Sequence, residues 1–325
     1  MVVRVGFIGA GGIAQMHMRN LQRLTGVSVV AVHDIDRARA ESVVSLFPGC
    51  QVFDSYRELI ERGGVDALWI CLPPFAHESQ EIEAARAGIH LFVEKPLATT
   101  EERARAIFAA IKEAGVIAAV GYNWRWLDIT AKAREILQGT PIAMALGYWL
   151  GGMPGVPWWR RKDQSGGQIV EQTTHIFDLA RYLLGEVTEV HAYGFRGLMQ
   201  DVPDYDTEDA SCVSLRFRNG TIANIASTDL LPPGAGKIGL DLIGRDVRLE
   251  LTNRALTVYR AHERTTYDSH NDPYYDEAVA FIEAVRTGDA SGLRSTYEDA
   301  LRTHLVTVSA NRSLEQGRPV SVPAL

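Results

Sequence analysis

The feature that most restricts the fold lies at the start of the chain. A β-branched run, Val2–Ile8, passes directly into Gly9-Ala10-Gly11-Gly12-Ile13-Ala14, and a helical pattern follows at about Gly12–Leu24. A strand that turns into a helix through so short a loop is the opening of a strand–helix–strand unit, and the next 100 residues repeat that alternation. Val27–His33, Ala67–Cys71, Leu91–Val93 and Ile117–Gly121 read as strands, and Asp36–Phe47, Ala76–Ala87 and Thr100–Ala114 read as helices. Short apolar strands alternating with helices predict a parallel sheet covered on both faces, the doubly wound α/β class.

The rhythm changes after about Asn123. A helix over Ile129–Leu137 stops at Gly139-Thr140-Pro141, a strand follows over Ile142–Leu150, and a Gly/Pro/Trp-rich loop leads to one predicted helix from about Gln168 to Leu184. Strands are then expected at Val187–Phe195, Ala210–Phe217, Thr221–Thr228, Ile238–Ile243, Val247–Leu251 and Leu256–Arg260, with Asn219-Gly220 as a hairpin turn. Helices near Pro273–Thr287 and Thr296–Gln316 close the chain. Strands in succession without helices between them predict an open, mostly antiparallel sheet, so residues 1–123 form one expected domain and 124–325 an α+β second domain.

Composition narrows the partners. The 325 residues carry a net charge of −7 with no long basic run, which disfavours nucleic acid and anionic membranes. No apolar run reaches the ~20 residues that span a bilayer. The opening residues enter a strand at once, leaving no room for a signal peptide, and Cys50, Cys71 and Cys212 form no CxxC pair. A cytoplasmic protein without a cysteine metal centre is the expectation.

The glycine loop carries the first chemistry. Gly9 permits a tight turn, Gly11 lets backbone approach a pyrophosphate, and Ala14 allows close helix–strand packing. The loop through Gly12 and Ile13 then offers free N–H groups at a helix start. At the end of the second strand Asp34 stands where an acid accepts hydrogen bonds from ribose hydroxyls and repels a 2′-phosphate, or caps the next helix. NAD is therefore favoured, while Arg37 and Arg39 keep NADP open. Pro73 and Pro74 end the next strand at the crevice where such sheets bind ligands, with Pro74 or its neighbours expected along the nicotinamide side. His77 reads as a polar residue of the following helix's first turn, and with Glu94 and Lys95 it is among the expected cofactor contacts.

The fifth strand ends in Glu94-Lys95-Pro96. A lysine there can hydrogen-bond a substrate hydroxyl or a developing alkoxide, Glu94 can anchor its ammonium or contact ligand, and proline fixes the backbone. Together with Gly9-x-Gly11-x-x-Ala14, this triplet resembles the family of glucose–fructose oxidoreductase, inositol dehydrogenase and MocA-type proteins. The resemblance extends to Gly121-Tyr122-Asn123-Trp124-Arg125-Trp126, which looks like the family's G-Y-x-x-R link. It implies a nicotinamide-dependent oxidoreductase acting on a secondary alcohol or ketone of a small sugar or polyol, a catalytic Lys95, a cis Lys95–Pro96 peptide, and a homodimer or homotetramer. A glycosidase using tightly held NAD and a non-catalytic dinucleotide sensor are the rivals on the same scaffold.

The third stretch is Ser165–Gly185. At ~100° per residue, Glu171, His175, Asp178 and Tyr182 fall within about 60° of arc on the predicted helix. In the resembling family this region reads G-G-x-x-x-D-x-G-x-H-x-x-D; Gly166-Gly167, His175 and Asp178 match, Glu171 replaces an aspartate and Thr173 a glycine. The resemblance implies that Glu171 and His175 work with Lys95. His175 would take the hydroxyl proton, Lys95 would steady the oxygen, and Glu171 would orient the pair. Glu171, His175 and Asp178 could also be spaced for a metal, but further ligands are not evident, and no metal is expected. Tyr122, Asn123, Arg125, Trp158, Arg160 and Asp178 are the expected substrate contacts, because indoles stack on sugar faces and arginine binds hydroxyls or carboxylates. Tyr148, Trp149 and Trp159 flank the same loop.

Overall fold

A computed structural model describes residues 2–325 and resolves them into two compact units. The first comprises the chain through Ala98, Glu102–Asn123 and Asp272–Leu301; the second comprises Thr99–Glu101, Trp124–Asn271 and Arg302–Leu325. The chain passes out of the first unit after Asn123, and residues 272–301 return to it.

The first unit is built on β1 (Val3–Ile8), α1 (Gly12–Gln22), β2 (Val27–His33), α2 (Arg37–Val44), β3 (Gln51–Val52), α3 (Tyr56–Arg62), β4 (Ala67–Ile70), α4 (Gln80–Arg86), β5 (His90–Val93), α5 (Glu101–Ala114) and β6 (Ala118–Val120). The strands form one parallel sheet in the order β3-β2-β1-β4-β5-β6. The short β3 and α3 escape a sequence pattern, because a strand of two residues shows no period and a helix of seven spans only about two turns. Every residue of β4 is buried, as a parallel strand covered on both faces requires. The order reverses between β1 and β4, and the carboxyl ends of those strands are where open α/β sheets bind ligands.

The second unit begins with α6 (Asp128–Leu137), β7 (Ile142–Leu150), α7 (Lys162–Ser165), α8 (Gly167–Glu171) and α9 (Thr174–Leu184). Strands β8 (Val187–Phe195), β9 (Ala210–Phe217), β10 (Ile222–Thr228), β11 (Lys237–Gly244), β12 (Val247–Leu251), β13 (Ala255–Arg260) and β14 (Glu263–Asp268) follow. After α10 (Pro273–Thr287) and α11 (Tyr297–Gln316), β15 (Val320–Ser321) completes a nine-stranded sheet ordered β14-β13-β12-β11-β7-β10-β9-β8-β15. All its pairings are antiparallel except β10 with β7. Burial alternates along β9 and β10, the signature of a sheet with one packed face and one open face. Gly220, at φ +91, makes the expected turn between them. No helix among the described residues is long and apolar enough to cross a membrane.

Helix α10 explains why residues 272–301 return to the first unit. Its Ala278, Phe281 and Ile282 are buried in the core that holds Trp69 and Phe92. Trp69 stacks on Phe92 at 5.0 Å, and Phe281 meets the two rings edge-on at 5.0 and 5.6 Å. Such aromatic pairs are worth about 0.5–1.5 kcal/mol beyond their burial.

The single helix expected from Gln168 to Leu184 is instead two. The N–H of Thr173 bonds the carbonyl of Gln168, five residues back, at 2.9 Å, and Ile176 N–H then bonds Thr173 O, three residues back. The turn first widens and then tightens, so the angular register between α8 and α9 is lost.

Candidate active site

In the first unit the glycine loop is shaped by a backbone contact. Gly9 sits at φ +94, and a Cβ there would lie 2.3 Å from the carbonyl oxygen of Cys71 at the end of β4. Only glycine fits. A Cβ at Gly11 or Gly12 would meet nothing within 4 Å, and α1 starts without a side-chain cap. This is an uncapped helix start with clear space above its first residues, the arrangement that suits a pyrophosphate. Ala14 is fully buried, as close packing of helix on strand requires.

Asp34 is bound to that loop. Its carboxylate accepts the N–H of Ala10 at 2.7 Å and that of Asp36 at 2.8 Å, and the Arg39 guanidinium lies 3.5 Å away. The cap of α2 is Asp36, which accepts the Arg39 N–H, so Asp34 is not the capping residue. Arg37, expected beside the cofactor, is instead exposed and paired with Glu41 and Asp54, which raise its pKa. Of the two arginines it is Arg39 that faces Asp34.

Pro73 and Pro74 form the stiff exit of β4, with Pro74 buried in a short 3-10 turn through Ala76. His77 follows that turn and lies before α4, which starts at Gln80, so it is not in the helix's first turn. It is buried, with Nδ1 against the Glu81 carboxylate and Nε2 3.3 Å from Leu72 O. With both nitrogens engaged, His77 braces the loop.

The Glu94-Lys95-Pro96 turn has the cis Lys95–Pro96 bond that the resemblance implied. Glu94 does not point outward to a ligand. It is 5% exposed, bonds His17 Nε2 at 2.7 Å and accepts the Lys95 backbone N–H at 3.1 Å. A Cβ on Gly121 would come within 2.7–3.0 Å of the Glu94 carboxyl atoms, so that glycine makes the space the acid occupies. Lys95 itself is half-buried. Tyr122 and Asn123, two of the expected substrate contacts, are 1% and 5% exposed.

In the second unit the row predicted on one helix edge is divided among several neighbours. Glu171 ends α8 and accepts the indole N–H of Trp159 at 2.9 Å, which buries Trp159 fully and leaves Trp158 half-buried. The His175 ring stacks on Trp149 with centroids 5.7 Å apart and planes 16° apart. Asp178 receives the Arg125 Nε–H at 2.7 Å, a second Arg125 donor, and the Thr303 hydroxyl at 2.7 Å. Tyr182 accepts from Arg134 at 2.7 Å while Arg125 lies over its ring at 4.7 Å. Arg125 and Asp178 are 1% and 2% exposed in their side chains, so both leave the expected substrate set and become a buried bidentate ion pair. With Asp178 so committed, and Glu171 on a separate helix, the spacing argument for a metal at Glu171, His175 and Asp178 is lost. Arg160 is half-buried and its Nε is buried without a hydrogen-bond partner.

Two buried residues in the first unit went unnoticed in the sequence. His17 shares the apolar stripe of α1 with Ala14, Met18 and Leu21, and Glu277 flanks the Ala278–Phe281–Ile282 stripe of α10. An ionisable residue within a buried stripe is the signal that could have found them.

Residues 3–122 match the family model described as "Oxidoreductase family, NAD-binding Rossmann fold". Residues 131–252 match the "GFO/IDH/MocA C-terminal domain". The chain is 28% identical to myo-inositol 2-dehydrogenase of Thermotoga maritima over 335 residues, with 98% of each chain covered. It is likewise 28% identical to scyllo-inositol 2-dehydrogenase (NAD(+)) of Bacillus subtilis, covering 98% of this chain and 96% of that one. Among solved structures, levoglucosan dehydrogenase in complex with NADH and levoglucosan shares the fold, with a TM-score of 0.88 at 21% identity and full coverage of both chains.

Proposed function

Because this chain belongs to the GFO/IDH/MocA oxidoreductase family, with models for both of its domains matched, we propose that it is a dehydrogenase of a cyclic polyol or sugar. It would move a hydride between the nicotinamide of NAD and a secondary alcohol carbon. The observation that carries the cofactor half is Asp34, whose carboxylate grips the Ala10 N–H of the glycine loop at the end of β2. The polyol half is supported by the inositol dehydrogenases that resemble the chain along almost its whole length. Cytoplasmic location and a homodimer or homotetramer belong to the same reading.

The dinucleotide would be held by its pyrophosphate at the glycine loop, and its nicotinamide would supply the hydride acceptor. The chain's own residues supply the rest. Lys95, on the turn braced by Glu94, donates a hydrogen bond to the substrate oxygen and steadies its negative charge as the proton leaves. His175 takes that proton, since an imidazole titrates in the working range. Glu171, held by the Trp159 indole, orients the imidazole electrostatically. Arg160 offers an unspent donor for a neighbouring hydroxyl. The assignment of Lys95 and His175 to one reaction rests on family membership and on the chemistry each carries.

A panel of inositols, aldoses and keto-sugars, followed at the reduced-nicotinamide absorbance with NAD and with NADP, tests the reading. A rise with at least one cyclic polyol or sugar is expected, and silence across the panel with both cofactors would remove it. Asp34→Ala is expected to weaken NAD binding about tenfold, the scale of a lost charged hydrogen bond. It should weaken NADP binding less, which fluorescence titration with each reduced cofactor would measure.

A further inference from the structure

Helix α10 brings Glu277 into the interior beside the pair His17–Glu94. One donor or acceptor atom from each of the three residues lies within 4.8 Å of the other two. Glu277 is 2% exposed, His17 0% and Glu94 5%. His17 is the one group of the three that can carry positive charge, and its Nε2 is already engaged by Glu94. An ionised Glu277 would therefore add an uncompensated negative charge in the core, and neither of its oxygens accepts a hydrogen bond. Burying an isolated carboxylate is far costlier than keeping its proton.

We propose that Glu277 is held uncharged, and that in this form it is a positioning residue for the Glu94-Lys95-Pro96 turn. The path is short. Glu94 is the acceptor of the Lys95 backbone N–H, and a neutral Glu277 lets the Glu94 carboxyl stay against His17, where an anion at that place would repel it. The other groups that face Glu277 agree. At the N-cap of its helix, Asp272 is paired with Arg23 at 2.8 Å, outside the core. Tyr274, packed edge-on to His17 at 5.9 Å, has its phenol pushed above its ordinary range by burial and by Glu94. Burial, then Glu94 and Asp272, raise the Glu277 carboxyl well above the usual carboxylate value of 4.5. A bound cation fits poorly, because His17 Nε2 and Glu94 already meet in a direct hydrogen bond of 2.7 Å that an ion between them would break.

The sign of the linkage follows. A carboxyl whose folded pKa is raised contributes its stability fully below the unfolded value and loses it as pH rises toward the folded one. Glu277→Gln copies the neutral form at every pH. Its melting temperature minus that of the wild type is expected to grow by about 5 °C or more between about pH 5 and pH 8. A gap that stays constant or shrinks, or one bound divalent ion per chain in the purified wild type, overturns the uncharged state. Infrared spectroscopy of the wild type gives a second measurement. A protonated-acid band persisting at neutral pH is expected, and its absence counts against the proposal even if the variant folds poorly.

Positioning is read separately, from hydrogen exchange at the Lys95 amide corrected for intrinsic rates. Glu277→Ala should lower protection there about tenfold, and Glu277→Gln should restore it to within about threefold. Unchanged protection in Glu277→Ala overturns the positioning role. Neither measurement uses a substrate, so failure of the polyol reading and failure of this one are distinguishable.

Discussion

Replacing His175 by alanine is expected to lower kcat about 10²–10⁴-fold, the range for a removed general base. The affinity for NAD should stay within about twofold, because the glycine loop and Asp34 belong to the other unit and keep their own contacts. The ring is 8% exposed and lies flat against Trp149, so its loss also removes a packing partner. A melting curve on the same sample separates the two effects. A folded variant with little turnover supports the base, and a folded variant with unchanged turnover removes His175 from the role. Lys95→Met is expected to fall into the same range. On the proposed reading, in which both serve one proton transfer, the double variant should be little worse than either single one.

The second large effect is on stability. Asp178→Ala leaves the Arg125 guanidinium in the core without its carboxylate, and strips the Thr303 hydroxyl of its acceptor. Breaking a buried ion pair from one side costs about 3–5 kcal/mol, a large share of a domain's stability. Denaturant unfolding followed by tryptophan fluorescence would show it as a lower midpoint. Asp178→Asn should lose less, because an amide oxygen still accepts from Thr303 and one arginine N–H. If Asp178 touched substrate, the asparagine variant would instead show its main defect in KM with an unchanged midpoint.

Both predictions turn on a helix edge that was legible in part. The alternation of strands and helices, the glycine loop, Asp34 and the lysine turn are local patterns, and each was readable because its physical cause spans a few residues. Gly9 shows this: a strand, a turn and a helix within a dozen positions leave little freedom. The row Glu171, His175, Asp178 and Tyr182 was read by the same periodic logic, which presumes an unbroken helix. The wide turn at Thr173 broke that premise. Arg125 and Asp178 resembled ligand contacts because charged residues near an expected site invite that reading. Their pairing across 53 positions is a fact of packing alone.

The sequence by itself determined the class of the two units, the place of the phosphate loop and the acid beside it, because periodicity and turn chemistry act locally. Only the tertiary structure decided which charges face inward. Whether Glu94 meets a ligand or His17, whether Asp178 binds sugar or Arg125, and whether Glu277 is exposed or enclosed all depend on which distant segment is brought alongside. Burial then sets the cost of each charge, and that cost is a property of neighbours that no short stretch of chain contains.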